Sequence, residues 1–265
     1  MSVTHDRLAN NRFAEGTFTP RPTPNAAAKM LAAQTRMELK LLLRNGEQLL
    51  LTMFIPITLL IGLTLLPIAD LGEDRAARVL PAVMMVAIMS TAFTGQAIAV
   101  GFDRRYGALK RIGATALPKW GIIAGKSGAV GLVVVLQSIL LGGIGVALGW
   151  RPTAVGLLVG AVVIAVGTVM FATLGLLLGG TLRAEIVLAL ANIVWFVLLG
   201  VGSIVLLDDV VPEALLHVVR LVPSGALTLA LDTAVAGGVD WLSIVVLVAW
   251  TVAAGVAAVR WFRFT

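Results

Sequence analysis

The chain has 265 residues, of which 59% are hydrophobic and only 13% charged, and its mean hydropathy is +1.00. Soluble domains run about 45–50% apolar and about 25% charged, so an ordinary water-soluble enzyme is excluded. With no cysteine, disulfides, thiol nucleophiles and Cys-based metal sites drop out. Two histidines, His5 and His217, are too few for a haem or a metal cluster, and no metal site is expected.

Residues 1–25, with Arg12, Pro20, Pro22 and Pro24 among scattered polar side chains, read as a disordered cytoplasmic tail. No apolar run follows Arg7 and Arg12 as a signal peptide requires, so the first span is expected to act as its own insertion signal. Residues 26–48 have helical composition. Met30, Ala33, Met37 and Leu41 fall on one stripe, while Lys29, Arg36, Lys40 and Arg44 supply positive charge beside Glu38. Such a helix lies along the inner membrane surface as an in-plane elbow; the alternative is a plain cytoplasmic extension of the first span. Asn45-Gly46 is a bend signal.

Six blocks free of Asp, Glu, Lys and Arg then follow: Leu49–Ala69, Val79–Phe102, Ser127–Trp150, Pro152–Leu182 (a helix from about 154), Ile186–Leu207 and Trp241–Val259. Each approaches or exceeds the roughly 20 residues a helix needs to cross hydrocarbon. None alternates like a barrel strand. The fourth is too short for two crossings and reads as one tilted or extended helix. Between the last two blocks, Ala214–Val219 and Leu221–Leu231 are too short to span. Arg220, Pro212, Pro223, Ser224 and Gly225 punctuate them, so interfacial or re-entrant helices are expected within an external loop, 208–240. The fold class is all-α: a polytopic membrane protein of six transmembrane helices (49–264) with an N-terminal amphipathic elbow.

With six spans the termini share a compartment. Sixteen of the twenty Lys and Arg fall on that side, leaving Arg75, Arg78, Arg151 and Arg220 opposite. Basic loops stay cytoplasmic, so both termini are expected in the cytoplasm and the chain in the plasma membrane. Asp70, Glu73, Asp74, Asp208, Asp209, Glu213, Asp232 and Asp240 all fall outside.

The loop 103–120 reads Asp-Arg-Arg-Tyr-Gly-Ala-Leu-Lys-Arg-Ile-Gly-Ala-Thr-Ala-Leu-Pro-Lys-Trp. Tyr106, Leu109 and Ile112 recur at three-residue spacing among Arg104, Arg105, Lys110 and Arg111, which predicts a short amphipathic helix ended by Gly113 and turned by Pro118. Simple charge retention beside a span would need no ordered apolar stripe, so the stripe favours a docking surface.

Asp103 to Arg111, followed by Ala114-Thr115-Ala116-Leu117-Pro118, resembles the pattern of ABC-2 type permeases, the membrane subunits of ATP-binding-cassette exporters. Ala108 stands where Thr is usual and Ala116 where the first Pro is; neither change removes a charge. Glu38 to Asn45 with Pro56 resembles the family's elbow and first crossing. Pro212 to Gly225 resembles its last external loop, and Arg260-Trp261-Phe262-Arg263-Phe264 its C-terminal signature. The likeness covers about residues 30–264, and daunorubicin-type resistance exporters are among the nearer patterns. The resemblance implies a dimer with a second six-span permease, identical or homologous, standing on two cytoplasmic ATPase subunits. It makes Arg104, Arg105, Tyr106, Gly107, Leu109, Lys110, Arg111 and Ile112 the coupling helix, and Met37, Glu38, Lys40, Leu41 and Arg44 part of the elbow. No cofactor is implied in this chain; ATP and Mg belong to the partner. Membrane lipids are the other partners, and no nucleic acid is expected.

Gly121-Ile-Ile-Ala-Gly125-Lys126-Ser127 has three residues between its glycines where a phosphate-binding P-loop needs four. Lys126 is therefore expected to snorkel to the inner interface. The pairs Gly145/Gly149, Gly156/Gly160 and Gly175/Gly179 read as close helix packing. Gln96, Gln137 and Asn192, with Thr91, Thr94 and Thr168 behind them, are the pathway candidates; hydrogen bonding between helices is the other reading for each. No acidic residue is central in any span, which disfavours a proton-coupled carrier. His217 reads as structural, at the outer interface. The leading expectation is a permease subunit that moves an amphipathic, drug-like or lipid-like molecule outward. The alternatives are lipid-linked glycan export or, from another class, a lipid-modifying membrane enzyme, for which only Asp208, Asp209 and Glu213 would serve. Charge reversal at Arg104, Lys110 and Arg111 together is expected to uncouple ATP hydrolysis from transport.

Overall fold

The computed structural model describes residues 17, 19, 25–66, 74–115, 117–207 and 211–262, without the side chains of 47–49, 51 and 119. Nearly all of the expected tail lies outside these residues, as do Asp70, Glu73, Asp208, Asp209, Ala116, Arg263 and Phe264. The described chain is helical, with no strand among these residues. In order it forms α1 (Ala27–Arg44), α2 (Gly46–Leu65), α3 (Arg75–Ile88), a π-helical segment (Met89–Gly95), α4 (Gln96–Arg105), α5 (Ala108–Gly113) and α6 (Lys119–Ala147). There follow α7 (Ala154–Thr181), α8 (Ala184–Ser203), a single 3₁₀ turn (Ile204–Leu207), α9 (Glu213–Leu221), α10 (Pro223–Val235) and α11 (Trp241–Trp261).

Five helical stretches, 75–105, 120–147, 154–181, 184–207 and 241–261, are long and apolar enough to cross a bilayer. A sixth is reached only if α9 and α10, bent by 112°, count as one crossing. In the expected first span, the described apolar stretch of α2 is Thr52–Leu65, shorter than a full crossing. The α9–α10 bend follows from chemistry at its apex. Val222 precedes a proline and is held extended (φ −88°, ψ 137°), and Pro223 starts α10, where its missing N–H costs nothing. Side-chain caps start two spans: Thr153 accepts from Gly156 N–H, and Asp240 accepts from Ser243 N–H. Arg220 of α9 reaches Asp240 at 3.2 Å, pinning the short helix to the start of α11.

The continuous stretch α3–π–α4 is the axis of the bundle. Val79 to Met89 are buried without a break, and Met85, Ile88, Met89 and Phe93 meet Met170 and Phe171 of α7 and Leu227 of α10 in one core. The outer helices instead present Phe54, Ile139, Leu158, Ile193, Phe196 and Val245 outward. A bundle with apolar surfaces on both sides of its helices belongs in hydrocarbon.

The π segment explains one glycine pair. A π turn carries an extra residue and widens the helix. A Cβ on Gly175 would lie 2.8 Å from the Phe93 carbonyl oxygen and 2.9 Å from that of Ala92, and one on Gly179 would overlap the Ala97 carbonyl. The other pairs divide. Gly145 fits against Leu80 and Trp150, and Gly156 against the Ala234 carbonyl. Gly149 is a left-handed turn residue (φ +112°), and Gly160 faces open space. The expectation of close packing at Gly160 is thus corrected: with Gly142 and Gly143 it borders an apolar recess of about 390 Å³ between α6 and α7.

The first helix meets the bundle through residues outside its apolar stripe. α1 packs chiefly along α6, and the residues it buries are Gln34 and Glu38. Met37 and Leu41 are 42% and 58% exposed. The stripe is real, but it points away from the bundle.

Candidate functional site

Immediately after the axial helix ends, the chain turns. α4 stops at Arg105, and Gly107 takes a left-handed conformation (φ +70°) that starts α5. α5 lies on the bundle through Leu109, 2% exposed, which packs with Val100, Ile122 and Leu176; Ile112, Leu117 and Phe262 close over this small core. Lys110 and Arg111 face outward. Beyond α5, Thr115 Oγ1 donates to the Ile112 carbonyl at 2.7 Å and accepts from Leu117 N–H at 3.3 Å, which fixes the turn before Pro118.

The structure separates residues that the three-residue spacing had grouped. Leu109 and Ile112 attach α5 to its own bundle. Tyr106 sits in the turn before α5, exposed, stacked on Phe102 at 6.0 Å with the Arg105 guanidinium 5.9 Å over its ring. Arg105 pairs with Glu185 at the start of α8. Arg104 does not face outward as a docking charge: its Nη1 donates to the Gly179 and Leu182 carbonyls, both at 3.0 Å, at the C-terminal end of α7. Arg104→Met is therefore expected to lower stability by about 2 kcal/mol, since hydrogen bonds to a charged donor are worth about 1.5–3 kcal/mol and this one is partly solvated. A drop in the unfolding midpoint of the purified chain would show it.

Lys126 is likewise corrected. α6 begins at Lys119, earlier than the uncharged block, so Lys126 lies two turns inside a helix and is 8% exposed. Its Nζ lies 2.9 Å from Glu38 Oε2 on α1 and 2.5 Å from Asp103 Oδ2 on α4. Gln34 Nε2 donates to the other Glu38 oxygen at 2.8 Å. A snorkelling amine would need a free path to the interface; this one is held by two carboxylates. The 121–127 glycine motif is part of the continuous helix α6. Nothing in the spacing of Glu38, Asp103 and Lys126 announces their meeting. The one available signal is the pair of glycines, Gly125 and Gly128, beside the lysine, which marks close approach of another helix.

The three polar pathway candidates part company. Gln137 is a cross-brace: its Nε2 donates to the Thr52 carbonyl and to Thr91 Oγ1, both at 2.9 Å, joining α2, the π segment and α6. Gln96 Nε2 reaches Ser127 Oγ at 3.2 Å and the Ala172 carbonyl at 3.4 Å, while its Oε1 is buried without a partner. Asn192 Nδ2 bonds back to the Leu188 carbonyl at 2.7 Å, and its side chain borders an open recess of about 580 Å³. Helices α2 and α8 wall this recess and the π segment and α4 floor it. Ser90, Thr94, Asn45 and Thr52 provide its polar spots, and Trp195 Nε1 donates to Ser90 Oγ at 3.1 Å. Among the described residues no three His, Asp or Glu side chains come together.

Residues 70–260, well over half of the chain, match the profile of a family described as ABC-2 family transporter protein. No curated protein matches the chain.

Proposed function

Because the chain belongs to the ABC-2 family of transporter proteins, and so is a multi-pass permease component of an ABC transporter, we propose that it forms the membrane pathway of an exporter of amphipathic, lipid-like molecules. Residues 49–264 form the six-span unit, 26–48 the elbow, and 103–120 the coupling loop. Both termini face the cytoplasm, where sixteen of the twenty Lys and Arg then lie. Two cytoplasmic ATPase subunits supply ATP and Mg chemistry, and a second permease subunit completes the conduit.

One observation carries this reading. α5 is glued to the bundle by Leu109 and Ile112 while Lys110 and Arg111 point outward from it. A push on the charged face is transmitted to α4 and α6 because the apolar face is already packed on them. Of the polar candidates, Asn192 fits the pathway best, since it borders the recess between α2 and α8; Gln137 fits a structural brace. The mixed polar and apolar lining of that recess suits an amphipathic cargo better than a bare ion.

The test is purification of the tagged full chain from its own membrane in mild detergent. The expected result is a complex containing ABC ATPase subunits, one per permease, that hydrolyses ATP. A chain that purifies without an ATPase, or a single cysteine at Lys110 that reacts with an impermeant reagent added outside the cell, would overturn it.

A further inference from the structure

The Glu38–Lys126–Asp103 cluster joins three elements that are far apart in sequence. Asp103 is on the last turn of α4, immediately before the loop that carries α5. Lys126 is on α6, just after that loop, so their 2.5 Å contact closes the loop at its base. Glu38, at 2.9 Å, adds α1 to the same knot. Two of the three charges are buried, Glu38 being 6% exposed and Lys126 8%, while the Asp103 side chain is 32% exposed. Separating them would leave an unpaired charge away from water, which makes this contact far costlier to open than a surface pair.

The backbone around the knot is equally close. A Cβ on Gly125 would overlap the Gln34 side chain, and one on Gly128 would lie 3.2 Å from Thr35 Oγ1. α1 therefore has no room to slide on α6. Its junction with α2, by contrast, is the Asn45–Gly46 bend, where Asn45 leaves the helical region (φ −83°, ψ 81°) and a Cβ on Gly46 would meet nothing within 4 Å.

We propose that Lys126 is a positioning residue of the transport cycle: by holding Glu38 and Asp103 together it makes α1, the base of the α5 loop and the start of α6 one rigid lever, and the Asn45–Gly46 bend is the hinge on which that lever turns α2. The proposal rests on the reading of α5 as the element that an ATPase subunit pushes. Movement at α5 then reaches the α2 wall of the recess through α1, without any change at the α1–α6 contact.

The absence of native cysteine allows a direct test in the complex with its ATPase subunits, in lipid nanodiscs. A Cβ at 128 would lie 3.9 Å from that of Thr35, within the range of about 3.5–4.5 Å that a disulfide spans. The oxidised Thr35→Cys/Gly128→Cys chain is expected to keep permease-dependent ATP hydrolysis within about twofold of the reduced form. A loss on oxidation that reductant restores would mean that α1 slides on α6, and would overturn the proposal. Lys126→Met is expected to retain its ATPase subunits yet lose about fivefold or more of that hydrolysis. Lys126→Arg is expected to keep it, and the disulfide to restore it in the Lys126→Met chain. Undiminished hydrolysis in Lys126→Met, or no rescue by the disulfide, would also overturn the lever. Failure of the underlying α5 reading would show separately, as a wild-type chain that binds no ATPase subunit.

Discussion

Gly175→Leu is expected to destabilise the bundle by about 3 kcal/mol, at the upper end of the usual range for overpacking, because the atoms in the way are backbone rather than side chain. Two carbonyl oxygens of the π segment would stand 2.8 and 2.9 Å from the new Cβ before any further atom of the leucine is placed. A side chain can change rotamer to relieve such an overlap; the hydrogen-bonded backbone of the axial helix cannot. The shift of the unfolding midpoint in a dodecyl sulfate titration measures the effect. Gly62→Ala is the control, since a Cβ there meets nothing within 4 Å; it is expected to be neutral or to stabilise by up to about 1 kcal/mol through helix propensity. Equal midpoints for Gly175→Leu and wild type would mean that α7 and the π segment do not approach as closely as described.

Lys110→Glu combined with Arg111→Glu is expected to weaken binding of an ATPase subunit by roughly thirtyfold. Exposed charge pairs contribute about 0.2–1 kcal/mol each, and reversal replaces attraction with repulsion, so two reversals together amount to about 2 kcal/mol. Arg104 is left unchanged, because its guanidinium holds the end of α7 and its loss would confound docking with folding. Arg111 also donates to the Tyr106 carbonyl at 3.1 Å, but that bond is exposed and local. Titration of purified ATPase subunit onto the variant in nanodiscs gives the affinity, and its unfolding midpoint reports on the fold. Wild-type affinity in the double variant would remove Lys110 and Arg111 from the docking surface.

How much of this was legible beforehand follows from what each signal measures. Five of the six long apolar runs located helices long enough to span, and Pro223 with Arg220 marked the broken pair α9–α10, because proline and charge act locally. Gly113 marked the end of α5 for the same reason, whereas the start at Gly107 was not read. The partners of the polar side chains were not legible: Gln137 and Asn192 look alike in sequence, yet one braces three elements and the other borders a recess. Likewise Arg104 and Lys110 carry the same charge in the same loop, but only the packing of α4 against α7 brings carbonyl oxygens to Arg104. Tyr106 kept the right spacing to join Leu109 and Ile112, and the left-handed turn at Gly107 removed it from their face.

Composition and order along the chain thus determined that the protein lives in a membrane, which stretches are its long apolar helices, and which loop collects its basic charge, since each depends on neighbours in sequence. The tertiary structure alone decided which face of each helix turns inward. In water an apolar stripe must point to the core, so a pattern has one solution. Beside hydrocarbon both directions are apolar, and the choice passes to the buried polar groups. α1 accordingly turns Gln34 and Glu38 to Lys126 and leaves Met37 and Leu41 outside, because a buried charge without its partner costs more than leaving an apolar side chain uncovered.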